Sequence, residues 1–317
     1  MKGEHWRMCK KVLLWGMGLD YEKLINAIQY EILKNNISVK AVVCRKSDYY
    51  CCKKDGFSII TKDDIWDYEF DYIVITSSQF FNEIRQEAFD LGVTEKQIIS
   101  GDLFKQPLFD FKRYVSLIEN PVTILSDDCW GGYAYNRLKL PFSSPLINIF
   151  WDRDEYAKFI QKPLFYLNTD LQMESDGDLE KGIYPIGRIG TATDSVTMKF
   201  VHNIDFAEAK EQWDRRRKRI NPNNLFVKMG FSSNIDEEKC LKYISAFNSV
   251  EYKKVLFYYN KNLSIDGQML TNRFLWRQKS GNRVDFFDYN EYLRGSYFWD
   301  LDLLKMLNGD GDFSRYY

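Results

Sequence analysis

Short apolar runs alternate with helix-period segments through the first hundred residues, and that alternation leaves few folds open. KVLLW (11–15), VKAVVC (39–44), FSII (57–60), DYIVIT (71–76) and QIIS (97–100) read as strands. Between them, Tyr21, Leu24, Ile25, Ile28, Ile32 and Leu33 share one face of a helix over 21–34. A second helix covers Gln79–Leu91 and ends at Gly92, which can take the left-handed backbone of a helix stop. Strands separated by helices pair in parallel, because each helix carries the chain back to the same end of the sheet.

The turn residues Gly101 and Pro107 in GDLFKQPLFDF (101–111) mark a boundary, giving a first domain over 1–106 and a second over 107–317. A length of 317 residues suits two domains. Beyond the boundary the strand candidates are VTILS (122–126), LINIFW (146–151), SVTMKFV (195–201), NLFVKM (224–229) and KVLFYY (254–259). Asp205 with Glu208, and Asp152 with Glu155, have the spacing of capping boxes ahead of helices over 206–219 and 153–161. A last helix over 289–308 carries Phe298 and Trp299. The expected fold class is α/β, with two three-layer parallel-sheet domains of Rossmann-like type.

Charge and cysteine content exclude several functions. Lys and Arg number 44 against 45 Asp and Glu, so no global basic field exists to hold a nucleic-acid backbone. Aromatic residues at 16% are too many for a disordered chain. The apolar runs are too short to span a membrane, and no signal-peptide core follows the polar start, so a cytoplasmic location is expected. The six cysteines lack the spacing of a disulfide scaffold; with only two histidines, no structural metal site is expected.

Gly16 and Gly18 directly follow the first strand, where a nucleotide's phosphates sit on a helix N-terminus. Tyr21 stands where the third glycine of the dinucleotide fingerprint belongs, and Arg45 and Lys46 stand where its acidic residue belongs. No cofactor is assigned from so incomplete a motif. A glycine turn that only closes the strand–helix corner accounts for the same residues.

SDDCWGG (126–132) is the most unusual string. Cys129 lies between a strand end and the next helix, where parallel sheets bind ligands and helix-terminal N–H groups favour a thiolate. Gly131 and Gly132, with Trp130, would bring backbone N–H groups to an oxyanion. Asp127 and Asp128 oppose a thiolate, because like charge raises its pKa. A buried cysteine beside a glycine turn is the structural alternative. His202 ends the strand SVTMKFVH; if the strands of the second domain are parallel, it reaches the same sheet edge as Cys129. A Cys–His pair then follows, with Asp127, Asp128 or Asp194 orienting the imidazole.

RRRKR (215–219) complements a helix C-terminus, while one or two of its arginines could reach a substrate phosphate. Asp152-Arg153-Asp154 after LINIFW mimics the DxD string by which many glycosyltransferases hold a divalent metal, although Asp152 is also the expected helix cap. NGDGDF (308–313) is too short for a calcium loop and reads as a turn.

Four strings in this order, SDDCWGGYAYNRLKLPFSSPLINIF (126–150), YPIGRIG (184–190), FVHNIDFAEAKEQWDRRRKRIN (200–221) and NLFVKMG (224–230), resemble a bacterial family of unknown function. Its members are often labelled exopolysaccharide biosynthesis proteins. The resemblance covers roughly residues 115–260 and matches at Cys129, Gly131, Gly132, Ser144, Pro145, His202, Trp213, Arg216 and Arg219. It departs at Asp128, where Asn is expected, and at Asn203, where an aromatic is usual. Residues 9–104 are similar in architecture to Rossmann-type modules of sugar-modifying and sugar-nucleotide enzymes.

The resemblance implies a cytoplasmic protein of exopolysaccharide biosynthesis, and the clustering of Cys129 and His202 at expected strand ends makes it an enzyme acting on a sugar or activated sugar, such as a sugar nucleotide, by group transfer. Cys129, His202 and Asp128 would be its catalytic residues. Trp130, Gly131, Gly132, Ser144, Arg216 and Arg219 would bind the substrate. Two alternatives stand beside it: a non-catalytic module that binds a nucleotide or glycan precursor, and a metal-dependent glycosyltransferase.

Overall fold

The computed structural model describes residues 9–45, 52–178, 181–231, 236–258, 273–275 and 302–310. The chain divides into two compact units, residues 1–118 and 119–317. Both are mixed α/β, and parallel strand pairs predominate.

In the first unit the strands are β1 (Lys10–Trp15), β2 (Ile37–Cys44), β3 (Lys53–Lys54), β4 (Phe57–Thr61), β5 (Tyr72–Ile75) and β6 (Ile98–Ser100). They hydrogen-bond in the order β3-β4-β2-β1-β5-β6, parallel except for the short β3 at one edge. Val12, Leu13, Leu14 and all of β5 are buried without alternation, the pattern of strands covered on both faces. Leu13, Trp15, Ile73 and Ile75 pack with Ile84 and Ala88 of α2 (Phe81–Asp90), and α1 (Leu19–Leu33) buries Tyr21, Leu24, Ile25 and Ile28.

The second unit holds two sheets. β7 (Thr123–Ser126), β11 (Leu225–Phe231), β12 (Lys253–Tyr258) and β13 (Arg273–Leu275) form a parallel sheet in the order β13-β12-β11-β7. β8 (Gln172–Ser175), β9 (Ile186–Gly190) and β10 (Ser195–Lys199) form a separate antiparallel sheet. After α3 (Phe111–Glu119), which closes the first unit, the helices of the second are α4 (Trp130–Arg137), α5 (Arg153–Phe159), α6 (Pro163–Leu167), α7 (Phe206–Arg217), α8 (Glu237–Asn248) and α9 (Leu303–Asn308). One apolar cluster joins the two sheets through Leu125, Trp151, Tyr156, Phe159, Met198, Trp213, Val227 and Phe247.

Two strand expectations for this unit are corrected. Residues 146–151 form no strand beyond one bridge, Phe150 to Lys199. Asn148 takes a left-handed φ of 65°, which interrupts an extended run, and the segment is apolar because Leu146, Ile147, Ile149 and Trp151 fill the core from a turn. Of SVTMKFV only Ser195–Lys199 is a strand, an antiparallel one outside the parallel sheet, and Phe200 and Val201 lie beyond its end. Val196 and Met198 are buried while Ser195, Thr197 and Lys199 are partly exposed, the two-residue alternation of a one-sided strand. Of the helix expected over 289–308, the structure describes 302–308, where α9 lies; Phe298 and Trp299 are outside the described residues, as are Lys46, Tyr259 and the end of NGDGDF.

Candidate functional site

The C-terminal end of β7 carries the loop Asp127-Asp128-Cys129. In register, Ser126 pairs with Lys228 of β11, and β11 runs three residues farther. Lys228 is a lysine within an otherwise apolar strand, and its side chain is only 2% exposed. Its ammonium lies 2.8 Å from Asp127 Oδ1 and 2.6 Å from Asp128 Oδ2. Asp127 Oδ2 accepts from the Gly230 N–H at 2.8 Å, and Asp128 Oδ1 accepts from the Trp130 N–H at 2.9 Å. The Tyr156 hydroxyl closes the floor, 2.7 Å from the Leu125 carbonyl and 2.8 Å from that of Lys228.

Burial pushes the Asp127 carboxyl up to about 6, against the pull of the Lys228 ammonium. Burial alone would lower Lys228, but the two carboxylates hold it above its ordinary value and keep it charged. The lysine therefore offsets the negative charge that the sequence places beside Cys129.

Cys129 caps α4, and its carbonyl accepts from the N–H groups of Gly132 and Tyr133. His202 reaches it from the other sheet. Lys199, the last residue of β10, exchanges two backbone hydrogen bonds with Phe150, and the next residue, Trp151, donates to the Asp127 carbonyl. That chain of bonds ties the end of β10 to the Asp127 loop. The turn after β10 is set by buried Phe200, which packs on Phe206 and Trp213, and by the Asn203 N–H to the Phe200 carbonyl. His202 Nε2 then lies 3.7 Å from Cys129 Sγ, within hydrogen-bonding range for sulfur. The pair is formed, but not by two parallel strands sharing one sheet edge.

The remaining expected residues divide by what they touch. Asp128 bonds Ser126, Trp130 and Lys228, and Asp194 bonds Lys162 and Tyr166; among the described residues no carboxylate hydrogen-bonds His202. Lys162 and Tyr166 hold Asp194 well below the usual carboxylate range. The orienting carboxylate of a triad is thus not supplied by Asp127, Asp128 or Asp194. In the string Trp130–Gly132, the Trp130 N–H donates to Asp128 and the Gly132 N–H to the Cys129 carbonyl. Gly131 allows α4 to lie against β7, since a Cβ there would stand 3.2 Å from Ile124 Cγ2. Gly132 faces the 141–149 loop, where a Cβ would meet Ile147 Cγ2 at an ordinary contact distance of 3.4 Å.

Ser144 is fully buried and accepts from the Leu146 N–H, so it shapes that same loop. Arg216 and Arg219 donate to the loop carbonyls of Ile147 (3.0 Å) and Phe142 (3.3 Å).

Asp152 and Asp154 do not converge. Asp152 pairs with Lys199 at 3.1 Å and Asp154 with Lys242 at 2.7 Å, and the described residues contain no group of three or more side chains able to hold a metal. Asp152 also makes no side-chain cap, and Glu155 accepts from the Thr197 N–H, so that capping box is absent. Asp205 does cap α7 through the Glu208 N–H, while Glu208 reaches back to Ile204.

In the first unit Gly16 takes a φ of 109°, and a Cβ there would stand 2.7 Å from Thr76 Oγ1. Gly18 caps α1. Asp20, in the first turn of α1, accepts from the Ser78 N–H at 2.9 Å and pairs with Lys105, which also bonds Asp102. Asp20 thus ties the start of α1 to Ser78 and Lys105, and the φ of Gly16 turns the chain at the strand–helix corner.

Lys228 and Tyr156 were missed in the sequence. A charged residue inside NLFVKM was the available signal for Lys228; Tyr156 carried none, because its role depends on two strands 100 residues apart meeting over it.

Residues 8–99 match a family described as C2185-like, N-terminal. A protein of Haemophilus influenzae, described as an uncharacterized protein, is 25% identical over 215 residues, covering 67% of this chain and 97% of that protein. Residues 100–308 match the family described as a domain of unknown function, DUF1919. That match takes in the whole Asp127–Lys228 cluster and the Cys129–His202 pair, and the chain belongs to the DUF1919 family.

Proposed function

We propose that the chain is an enzyme of group transfer in which Cys129 is the nucleophile and His202 its general base and acid. The observation that carries this reading is the 3.7 Å contact between Cys129 Sγ and His202 Nε2 at the end of a parallel strand. Lys228 supports it by neutralising part of the charge beside the thiol.

In the first half of the reaction His202 takes the thiol proton, sulfur bonds to an electrophilic carbon of the substrate, and the bond to the leaving oxygen breaks. The imidazolium returns its proton to that oxygen. In the second half His202 removes the proton of an acceptor hydroxyl, whose oxygen attacks the same carbon and expels the thiolate. With the resemblance of the 126–230 strings to proteins labelled for exopolysaccharide biosynthesis, the substrate class is a sugar or activated sugar. We read the parallel sheet of the first unit as Rossmann-like, in a supporting role, because Tyr21 stands where the third glycine of the dinucleotide fingerprint belongs.

The test is intact-protein mass spectrometry after incubation with a panel of sugar nucleotides and sugar phosphates. A covalent adduct that maps to Cys129 in the wild type and is missing in Cys129→Ser is the expected result. Turnover of any of these compounds by Cys129→Ser at the wild-type rate would overturn the assignment.

A further inference from the structure

α7 ends in a run of arginines whose members have unlike surroundings. Arg217 donates to the Thr169 carbonyl and pairs with Asp170 at 3.2 Å. Arg215, Arg216 and Arg219 have no carboxylate partner among the described residues. The acidic side chains of this stretch are engaged elsewhere or unused by these three: Asp170 pairs with Arg217 and Asp214 with Lys210.

Arg216 is half-buried, lying one turn beyond buried Trp213 on the inner face of α7. Burial and the charges of Arg215 and Arg219 both work against its protonated form. A guanidinium that is partly desolvated and flanked by two like charges is costly unless an anion joins it.

The geometry for an anion is in place. Arg216 and Arg219 each use one terminal nitrogen on a backbone carbonyl, Ile147 and Phe142 respectively. A guanidinium carries five N–H donors, so most of each fork is left for a ligand. The two carbonyls anchor the forks on the 141–149 loop, whose Ile147 packs against Gly132, one helical turn from Cys129. Planar forks held by a fixed loop suit the oxygens of a phosphate or diphosphate, which accept two parallel N–H bonds.

We infer that Arg215, Arg216 and Arg219 form a phosphate-binding site, so that the substrate of the Cys129 reaction is a phosphate- or diphosphate-bearing compound. The second clause rests on the group-transfer reading; the binding of the anion does not.

The experiment is calorimetric titration of the full chain with inorganic pyrophosphate, in parallel in wild type, Cys129→Ser and Arg215→Ala/Arg219→Ala. Both residues of the double variant are exposed, and circular dichroism checks that it folds. The expected result is saturable binding at millimolar or lower concentration in the wild type and in Cys129→Ser, weakened at least tenfold in the double variant. Arg216→Lys, which keeps the charge and loses the fork, is expected to weaken it as well. Absence of saturable binding, equal affinity in the double variant, or a heat reproduced by sodium chloride of the same ionic strength would overturn the site. Because Cys129→Ser is titrated too, a failed nucleophile leaves the anion result standing, and the reverse.

Discussion

Replacing Lys228 by Met tests whether the cluster under the Cys129 loop is held by charge or only by packing. Met keeps most of the volume of a side chain that is 2% exposed, so little cavity forms. What changes is that the carboxylates of Asp127 and Asp128, 11% and 15% exposed, lose the ammonium 2.8 and 2.6 Å away. Removing one partner of a buried ion pair costs about 3–5 kcal/mol, because the other charge stays buried without compensation.

The cost must depend on pH, and its sign follows from Asp127. With Lys228 present its carboxyl is pushed from 3.8 up to about 6, so the folded state favours the neutral acid. The stability this group contributes is present below about pH 4 and is lost as pH rises through 6, by roughly 3 kcal/mol for a shift of about two units. In Lys228→Met the ammonium's lowering pull is gone and the carboxyl climbs above 6. The penalty is therefore largest near pH 8 and shrinks by about 1 kcal/mol or more at pH 5, where the orphaned Asp127 carboxylate takes up a proton. Hydrogen exchange followed by mass spectrometry in peptides covering 123–126 and 225–230 reads the local stability without assuming a single unfolding transition. A penalty below about 1 kcal/mol, or one equal at pH 5 and pH 8, would refute the electrostatic account.

Tyr156→Phe should cost about 1–2 kcal/mol, since its hydroxyl serves the buried carbonyls of Leu125 and Lys228; urea denaturation followed by tryptophan fluorescence checks it, and a neutral change would mean the hydroxyl is dispensable. Gly16→Ala should destabilise the first unit by about 1–3 kcal/mol, because a φ of 109° is strained for any side chain and the new Cβ meets Thr76 Oγ1; exchange rates in β1 and β5 report it. Asp154→Asn should leave thiol reactivity at Cys129 unchanged, and neither manganese nor EDTA should shift the thermal midpoint, since Asp154 pairs with Lys242 while Asp152 pairs with Lys199; a manganese-induced rise lost in the variant would revive the metal reading.

Much of the first unit was legible because its strands carry short continuous apolar runs, such as Val12–Trp15 and Tyr72–Ile75, and its helices are amphipathic, two patterns that do not resemble each other. The second unit was harder. LINIFW and SVTMKFV are both short apolar runs, and composition does not separate a core-filling turn from a strand. Only the left-handed Asn148 and the one-sided burial of Val196 and Met198 decide between them. The approach of Cys129 to His202 was anticipated from a false premise, parallel strands in one sheet; what joins them is the Phe150–Lys199 bridge and the Trp151 bond to Asp127, which no local pattern encodes. Lys228 illustrates the converse: a lysine inside an apolar strand is a local conflict, and such conflicts concentrate where a buried charge has a specific partner.

The most direct test of the Cys129–His202 pair is the alkylation rate of Cys129 against pH, resolved by peptide mass spectrometry, in wild type and His202→Ala. The pair predicts a thiol that reacts well below pH 8.5 in the wild type and loses that advantage when the imidazole is removed. A thiol that is inert, or that titrates the same way in both proteins, would contradict it.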